Sequence, residues 1–185
     1  MQNYKIKTSS LLFTLFVVCL VFISQSYAAS KEEIDINVSV SLEKFKHEVS
    51  GADKFLNKAE AVLVFPDVVK AGFGIGGEYG EGALLIKGKT VDYYSTASAS
   101  IGFQFGAQFK TVVLVFLKKD ALNKFRNSDG WEAGVDGSVA LVKLGAGKDL
   151  NTVNFDDPIV GFVFSNKGLM YNLTLEGSKM TRINK

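Results

Sequence analysis

The chain has 185 residues, 47% of them hydrophobic and 22% charged, with 21 basic residues against 19 acidic ones. That is the composition of one globular unit of ordinary size, without the positive excess expected of a general nucleic-acid binder. A single cysteine and a single histidine exclude a disulfide framework and leave no ligand set for zinc.

Residues 1–28 read as a leader. Lys5 and Lys7 form a positive start, Leu11 to Ile23 is apolar apart from Thr14, and Ser26-Tyr27-Ala28 offers small residues at a cleavage site. This is the layout of a secretory signal peptide. The apolar run has thirteen residues, short of the ~20 a membrane-spanning helix needs. Cys19 lacks the small preceding residue of a lipidation site, since Val18 stands there. Cleavage after Ala28 removes 28 of the 185 residues and leaves 157, with no cysteine and with 19 basic residues matching 19 acidic ones. A chain of that length buries enough surface to need no disulfide.

Ala29 to Glu60 is expected to be helical. Ile34, Val38, Leu42, Phe45 and Val49 recur at helical spacing, opposite a charged face. Ser50-Gly51-Ala52-Asp53 resembles a capping box that starts a second helix at Ser50. Ala61 to Phe65 is a short apolar run that predicts a buried strand stopped by Pro66.

Residues 72–82, GFGIGGEYGEG, place glycine at Gly72, Gly74, Gly76, Gly77, Gly80 and Gly82. A dinucleotide fingerprint needs Gly-x-Gly-x-x-Gly between a strand and a helix. Counting from Gly74 ends on Tyr79 and counting from Gly72 ends on Ile75, so the spacing fails. Gly88-Lys89-Thr90 likewise lacks the earlier glycine of a phosphate loop, because Ala83 stands there. Alternate residues of a strand share a face, so Gly72, Gly74 and Gly76 would leave a bare strip. Such a strip permits a sharp bend or close approach of another element. The reading is a glycine-kinked strand with a structural task.

Ala83 to Ile86 and Thr90 to Tyr94 flank Lys87-Gly88-Lys89 as a hairpin, and Thr111 to Leu117 reads as a buried strand. Lys119 to Asn127 is helical, with Leu122 and Phe125 on one face. Strands return around Asp136-Gly137, between Gly134 and Leu144. Ile159 to Phe164 and Leu169 to Leu175 flank Ser165-Asn166-Lys167-Gly168 as a second hairpin. Glycine and aromatic residues alternate again in residues 101–109 and 160–164. The expected fold class is α+β: N-terminal amphipathic helices packed on a curved, mostly antiparallel, glycine-rich sheet or partly closed barrel.

Nothing in the pattern assembles an enzyme. Glu78 and Glu81 have no base or nucleophile beside them, Asp129, Glu132 and Asp136 lack calcium-loop spacing, and no Gly-x-Ser-x-Gly elbow exists. No catalytic residue, metal ligand or cofactor is expected. Lys44, Lys46, Lys54 and Lys58 lie close to Phe45 and Phe55. A basic amphipathic helix can rest on anionic lipid in this way. An ordinary helix would instead pack Phe45 and Phe55 into the core.

Several ordered blocks resemble one family. Ala61-Val62-Leu63-Val64-Phe65-Pro66, the run from Lys70 to Gly82, Gly130 to Ser138, and Lys167 to Ser178 are similar to the signature blocks of SYLF domains, also called yeast-type actin-binding domains. The resemblance spans roughly residues 30–180. It implies a non-enzymatic lipid-binding module over residues 29–185, with Lys44, Phe45, Lys46, Lys54, Phe55 and Lys58 as lipid-contacting candidates. Its partners would be phospholipid or a membrane surface, and no nucleic acid. With the leader, it implies an exported bacterial form in the periplasm or cell envelope, peripheral to a membrane. Actin is not an expected partner in that compartment; an envelope protein is the alternative.

Overall fold

The computed structural model describes residues 29–143, 155–168, 175 and 177–185. The expected leader at 1–28 lies outside the described residues.

Helix α1 spans Lys31–Glu48. The Ser30 side chain caps it by accepting the Glu33 N–H at 3.1 Å. Glu32 and Glu33 occupy the first turn and Lys46 and His47 the last, which suits the helix dipole at both ends. Ile34, Val38 and Phe45 are buried on its sheet-facing side. A short helix α2 follows at Ala52–Lys58. Ser50 is not its N-cap, as the sequence suggested. Gly51 takes that place, with φ of 83° and no side-chain cap. The left-handed conformation turns the chain within one residue, and glycine adopts it without strain.

Two long strands dominate the rest, β1 at Ala61–Ile86 and β2 at Lys89–Phe116, paired antiparallel. Their turn uses Lys87 and Gly88, both at positive φ (51° and 75°). Paired positive φ values match the right-handed twist of the flanking strands. Pro66 does not stop β1. A register shift between Phe65 and Val68 absorbs it, because proline has no N–H to give the ladder. The Thr111 hydroxyl donates to the Pro66 carbonyl at 2.8 Å and satisfies the orphaned oxygen.

The hairpin is bent double. A Cβ on Gly72 would sit 2.5 Å from Gly76 Cα, one on Gly80 would sit 3.1 Å from the Asp67 oxygen, and one on Gly82 would land on the Val64 carbonyl oxygen. The two arms of β1 therefore lie against each other through glycine. β2 follows the bend, with Phe73 opposite Phe105, Ile75 opposite Ile101 and a register shift between them. The two glycine-aromatic stretches seen in the sequence are thus partners across one hairpin.

The remaining strands are β3 at Trp131–Glu132, β4 at Ala140–Lys143, β5 at Ile159–Gly168 and β6 at Lys179–Ile183. The sheet runs β3-β6-β2-β5-β4, with β1 on β2. β2 holds β6 along residues 93–97 and β5 along residues 108–116. β4 pairs parallel with β5 and the other pairs are antiparallel. Ser165 to Gly168 do not turn; β5 continues through them, with Lys167 opposite Phe109 and Gly168 opposite Gln108. The partner strand expected from Leu169 lies largely outside the described residues. Residues 134–137 form a turn rather than strand, closed by the Glu132 N–H donating to Asp136 Oδ2 at 2.6 Å. Helix α3 occupies Lys119–Arg126 with Leu122 and Phe125 buried.

Strand alternation divides the core in two. Leu63, Phe65, Leu84, Leu114 and Phe116 face the inside of the bend, where Phe125 and Trp131 close it. Val62, Val64, Val113 and Val115 face the other way, against Phe45, Phe55 and Phe162. The fold is α+β, with helices against a strongly curled, mostly antiparallel sheet.

Candidate functional site

The surface around α1 carries the expected lipid contacts, and the structure separates them. Lys44 and Lys46 are two residues apart, about 200° around the helix, so they face different grooves. On one flank a groove of about 410 Å³ is lined by Asn37, Val40, Lys44, Asp67, Phe109 and Lys167, among others. On the other flank a groove of about 260 Å³ has Leu42, Leu56, Val62 and Leu85 together with Lys46 and Lys87. The second groove combines an apolar lining with two ammonium groups and the Glu43 carboxylate.

Phe45 and Phe55 are core residues. Phe45 packs edge-on against Phe162 at 4.8 Å, and Phe55 stacks on Phe155 at 4.7 Å. Their rings hold the helices to the sheet and do not reach the surface. Lys58 lies 4.0 Å above the Phe155 ring, and Lys54 is exposed on α2. Lys46 forms an ion pair with Glu43 at 2.7 Å. The hydrogen bond with Lys46 lowers the Glu43 carboxyl from its ordinary value, and the same bond raises the Lys46 ammonium.

The start of α1 is tied to β2 by Asp35. Thr90 and Tyr93 hydroxyls both donate to its carboxylate, each at 2.9 Å. Burial first, then the Asp35 carboxylate, pushes the Tyr93 phenol up to about 12. These bonds fix the helix that lines both grooves.

The glycine motif positions rather than binds. Gly72, Gly80 and Gly82 are sites of close approach, whereas Gly77 has open space, its nearest neighbour being the Ser98 carbonyl at 4.0 Å. Gly76 is buried and Gly74 sits at the bend between the shifted residues.

Sequence reasoning missed the polar layer inside the bend. Lys110 and Glu78 form an ion pair at 2.9 Å with side chains 0% and 4% exposed. Lys70 and Gln108 are buried in the same layer, opposite one another in register. Glu78 falls in step with Gly76 and Gly80, which is the one signal that placed it inward. A second cluster joins Arg126, Arg182 and Asp92 at the far end of β2, with Arg126 3.0 Å and Arg182 3.6 Å from the carboxylate. Both clusters link strands, and Lys110 also lines the larger groove. Among the described residues no helix is long and apolar enough to cross a membrane.

Residues 97–185, from the middle of β2 to the end of the chain, match the family model Ysc84, described as a Las17-binding protein and actin regulator. No curated protein matches the chain. The match takes in β5, β6, α3 and Trp131, the elements that close the bent hairpin. Over residues 97–185 the chain is similar to the Ysc84, or SYLF, family.

Proposed function

We propose that this protein is a non-enzymatic lipid-binding module of the bacterial envelope, delivered there by the leader at 1–28 and peripheral to a membrane. The observation that carries this reading is the groove between α1, α2 and β1. Its apolar lining of Leu42, Leu56, Val62 and Leu85 suits an acyl chain, and Lys87, beside the Lys46–Glu43 pair, suits an anionic headgroup. Concave sites with mainly apolar walls and a few placed polar groups are the usual form of small-ligand sites. Lys44, Lys54 and Lys58 add positive charge on neighbouring surfaces, each contributing about 1 kcal/mol where it reaches an anionic membrane.

Native mass spectrometry and lipid extraction of the protein purified gently from its own envelope test the reading. A defined co-purifying phospholipid supports it and names the ligand. A lipid-free protein that also ignores anionic vesicles refutes it. Reversing the charge of Lys44, Lys46, Lys54 and Lys58 is expected to weaken vesicle binding, most strongly at low salt.

A second reading rests on β1, which pairs only with β2 among the described strands. Its other edge can receive a strand from a protein partner. The family description as a Las17-binding protein is in keeping with a protein-binding module; in the envelope that partner would be an envelope protein rather than actin. Stoichiometric capture of one protein without lipid would favour this reading.

A further inference from the structure

The bend of the hairpin reverses the usual alternation. In its arms the inward residues are apolar, as in most sheets. At the bend the inward residues are Lys70, Glu78, Gln108 and Lys110, none more than 7% exposed. The outward residues there are Val69, Ile75, Tyr79 and Phe109, exposed by 38%, 72%, 52% and 48%. Between them the outward positions Ala71, Gly77, Ala97, Ala99 and Ala107 are exposed and uncharged. Among the described residues, four of the eight exposed large hydrophobic ones therefore sit at the bend. Apolar outside and polar inside is the pattern of strands that face lipid.

The register keeps the bend in this state. A one-residue slip would move every side chain to the other face, and it would carry the Glu78–Lys110 pair out of its buried position. It would also place side chains where Gly72, Gly80 and Gly82 allow close approach. The apolar face is thus held outward by the same contacts that fold the hairpin.

We infer that the bend of the β1–β2 hairpin enters the upper acyl layer of a membrane bearing anionic phospholipid. This rests on the membrane reading above but not on the acyl groove. Val69, Phe109 and Lys167 form one row across β1, β2 and β5. Lys167 sets an ammonium beside the apolar band, at the level of an anionic headgroup. Lys44 lies in the adjoining groove with Val40 and Phe109; Asp67 and Glu48 balance the charge inside that groove. Tyr79 donates to Glu81 at 2.9 Å, so its ring is apolar and its hydroxyl is anchored, a side chain suited to the membrane interface.

The backbone limits the depth. Residues 98–107 of β2 pair only with β1 among the described strands. Unpaired backbone groups are costly in hydrocarbon, so the bend stays where water and headgroups still reach its edges. The outward face is convex because the hairpin folds away from it, over the inner face. Two convex faces meet along a line and do not form the flat ~800 Å² per partner of a stable dimer, whereas a fluid bilayer conforms to the shape.

The test uses the mature chain from Ala29, which has no cysteine, with either Ile75→Cys or Val135→Cys labelled by an environment-sensitive fluorophore. Val135 is 73% exposed and lies in the turn after β3. Vesicles contain phosphatidylglycerol and phosphatidylcholine, with a doxyl quencher high or low on the acyl chain. The Ile75 label is expected to shift to the blue and to be quenched by the shallow doxyl, while the Val135 label stays in water. Separately, Ile75→Asp is expected to lower vesicle affinity about tenfold with an unchanged circular-dichroism spectrum. Vesicle-bound protein whose Ile75 label remains in water overturns the inference and leaves the groove reading standing. Shielding of Ile75 without lipid, at twice the monomer mass, also overturns it in favour of a second copy. Failure to bind vesicles, with no lipid on extraction, overturns both.

Discussion

Replacing Glu78 by glutamine tests whether the polar layer organises the bend. The side chains of Glu78 and Lys110 are 4% and 0% exposed and lie 2.9 Å apart. Removing the carboxylate charge leaves the Lys110 ammonium buried without its counter-ion. Breaking a buried pair from one side costs about 3–5 kcal/mol, whereas replacing both partners by apolar residues of similar volume is often neutral or stabilising. Urea unfolding can be followed through Trp131, the only tryptophan in the chain and 2% exposed. With a urea dependence of about 2 kcal/mol per molar for a domain of this size, a 4 kcal/mol loss lowers the midpoint by about 2 M. The double variant Glu78→Leu with Lys110→Met should recover most of that loss. If Glu78→Gln costs less than about 1 kcal/mol, or the double variant is as unstable as the single one, the pair is not what closes the bend.

Gly82→Ala should destabilise the fold by about 3 kcal/mol or more, since its methyl meets the Val64 backbone and cannot be accommodated by a side-chain shift. Gly77→Ala, with 4.0 Å of room, should change stability by less than ~1 kcal/mol in the same urea assay. Phe125→Ala should cost about 3–5 kcal/mol, because that ring touches Tyr94, Phe116 and Trp131 at 4.8, 5.0 and 5.6 Å; native-like urea stability would refute its place as the keystone of the inner core. Tyr93 is raised to about 12 in the fold and titrates near 10 when unfolded. The unfolded chain loses that proton first, so stability is full below about pH 10 and falls between 10 and 12. Tyr93→Phe should flatten that part of the pH–stability curve, and an unaltered slope would contradict the assignment.

Parts of this architecture were legible because they are local. The 3.6-residue period from Ile34 to Val49 gave α1, since Ile34, Val38, Phe45 and Val49 all pack on the sheet. Lys87-Gly88 gave a turn because positive φ has a residue signature. Leu122 and Phe125 gave α3 in the same way. Other readings failed because the deciding contact is distant in the chain. Pro66 looked like a strand end, but Thr111, forty-five positions away, satisfies its carbonyl. Ser165 to Gly168 looked like a turn, but β2 supplies a partner that extends β5. Ser50 looked like a cap because its hydroxyl is the usual one, yet Gly51 supplied the required φ.

The candidate site divides along the same line. The lysines of the helical region were legible as charge, and Phe45 and Phe55 as apolar partners at helical spacing. Only the packing shows that both rings are spent on Phe155 and Phe162, and that Lys44 and Lys46 serve different grooves. The sequence by itself determined that GFGIGGEYGEG is a strand able to bend, because missing side chains are a local property. It did not determine where the strand bends or which face turns outward. Those are set by the Val64, Val68 and Lys110 contacts that the glycines and Glu78 receive from elsewhere in the hairpin, and a contact between distant residues is encoded in neither one alone.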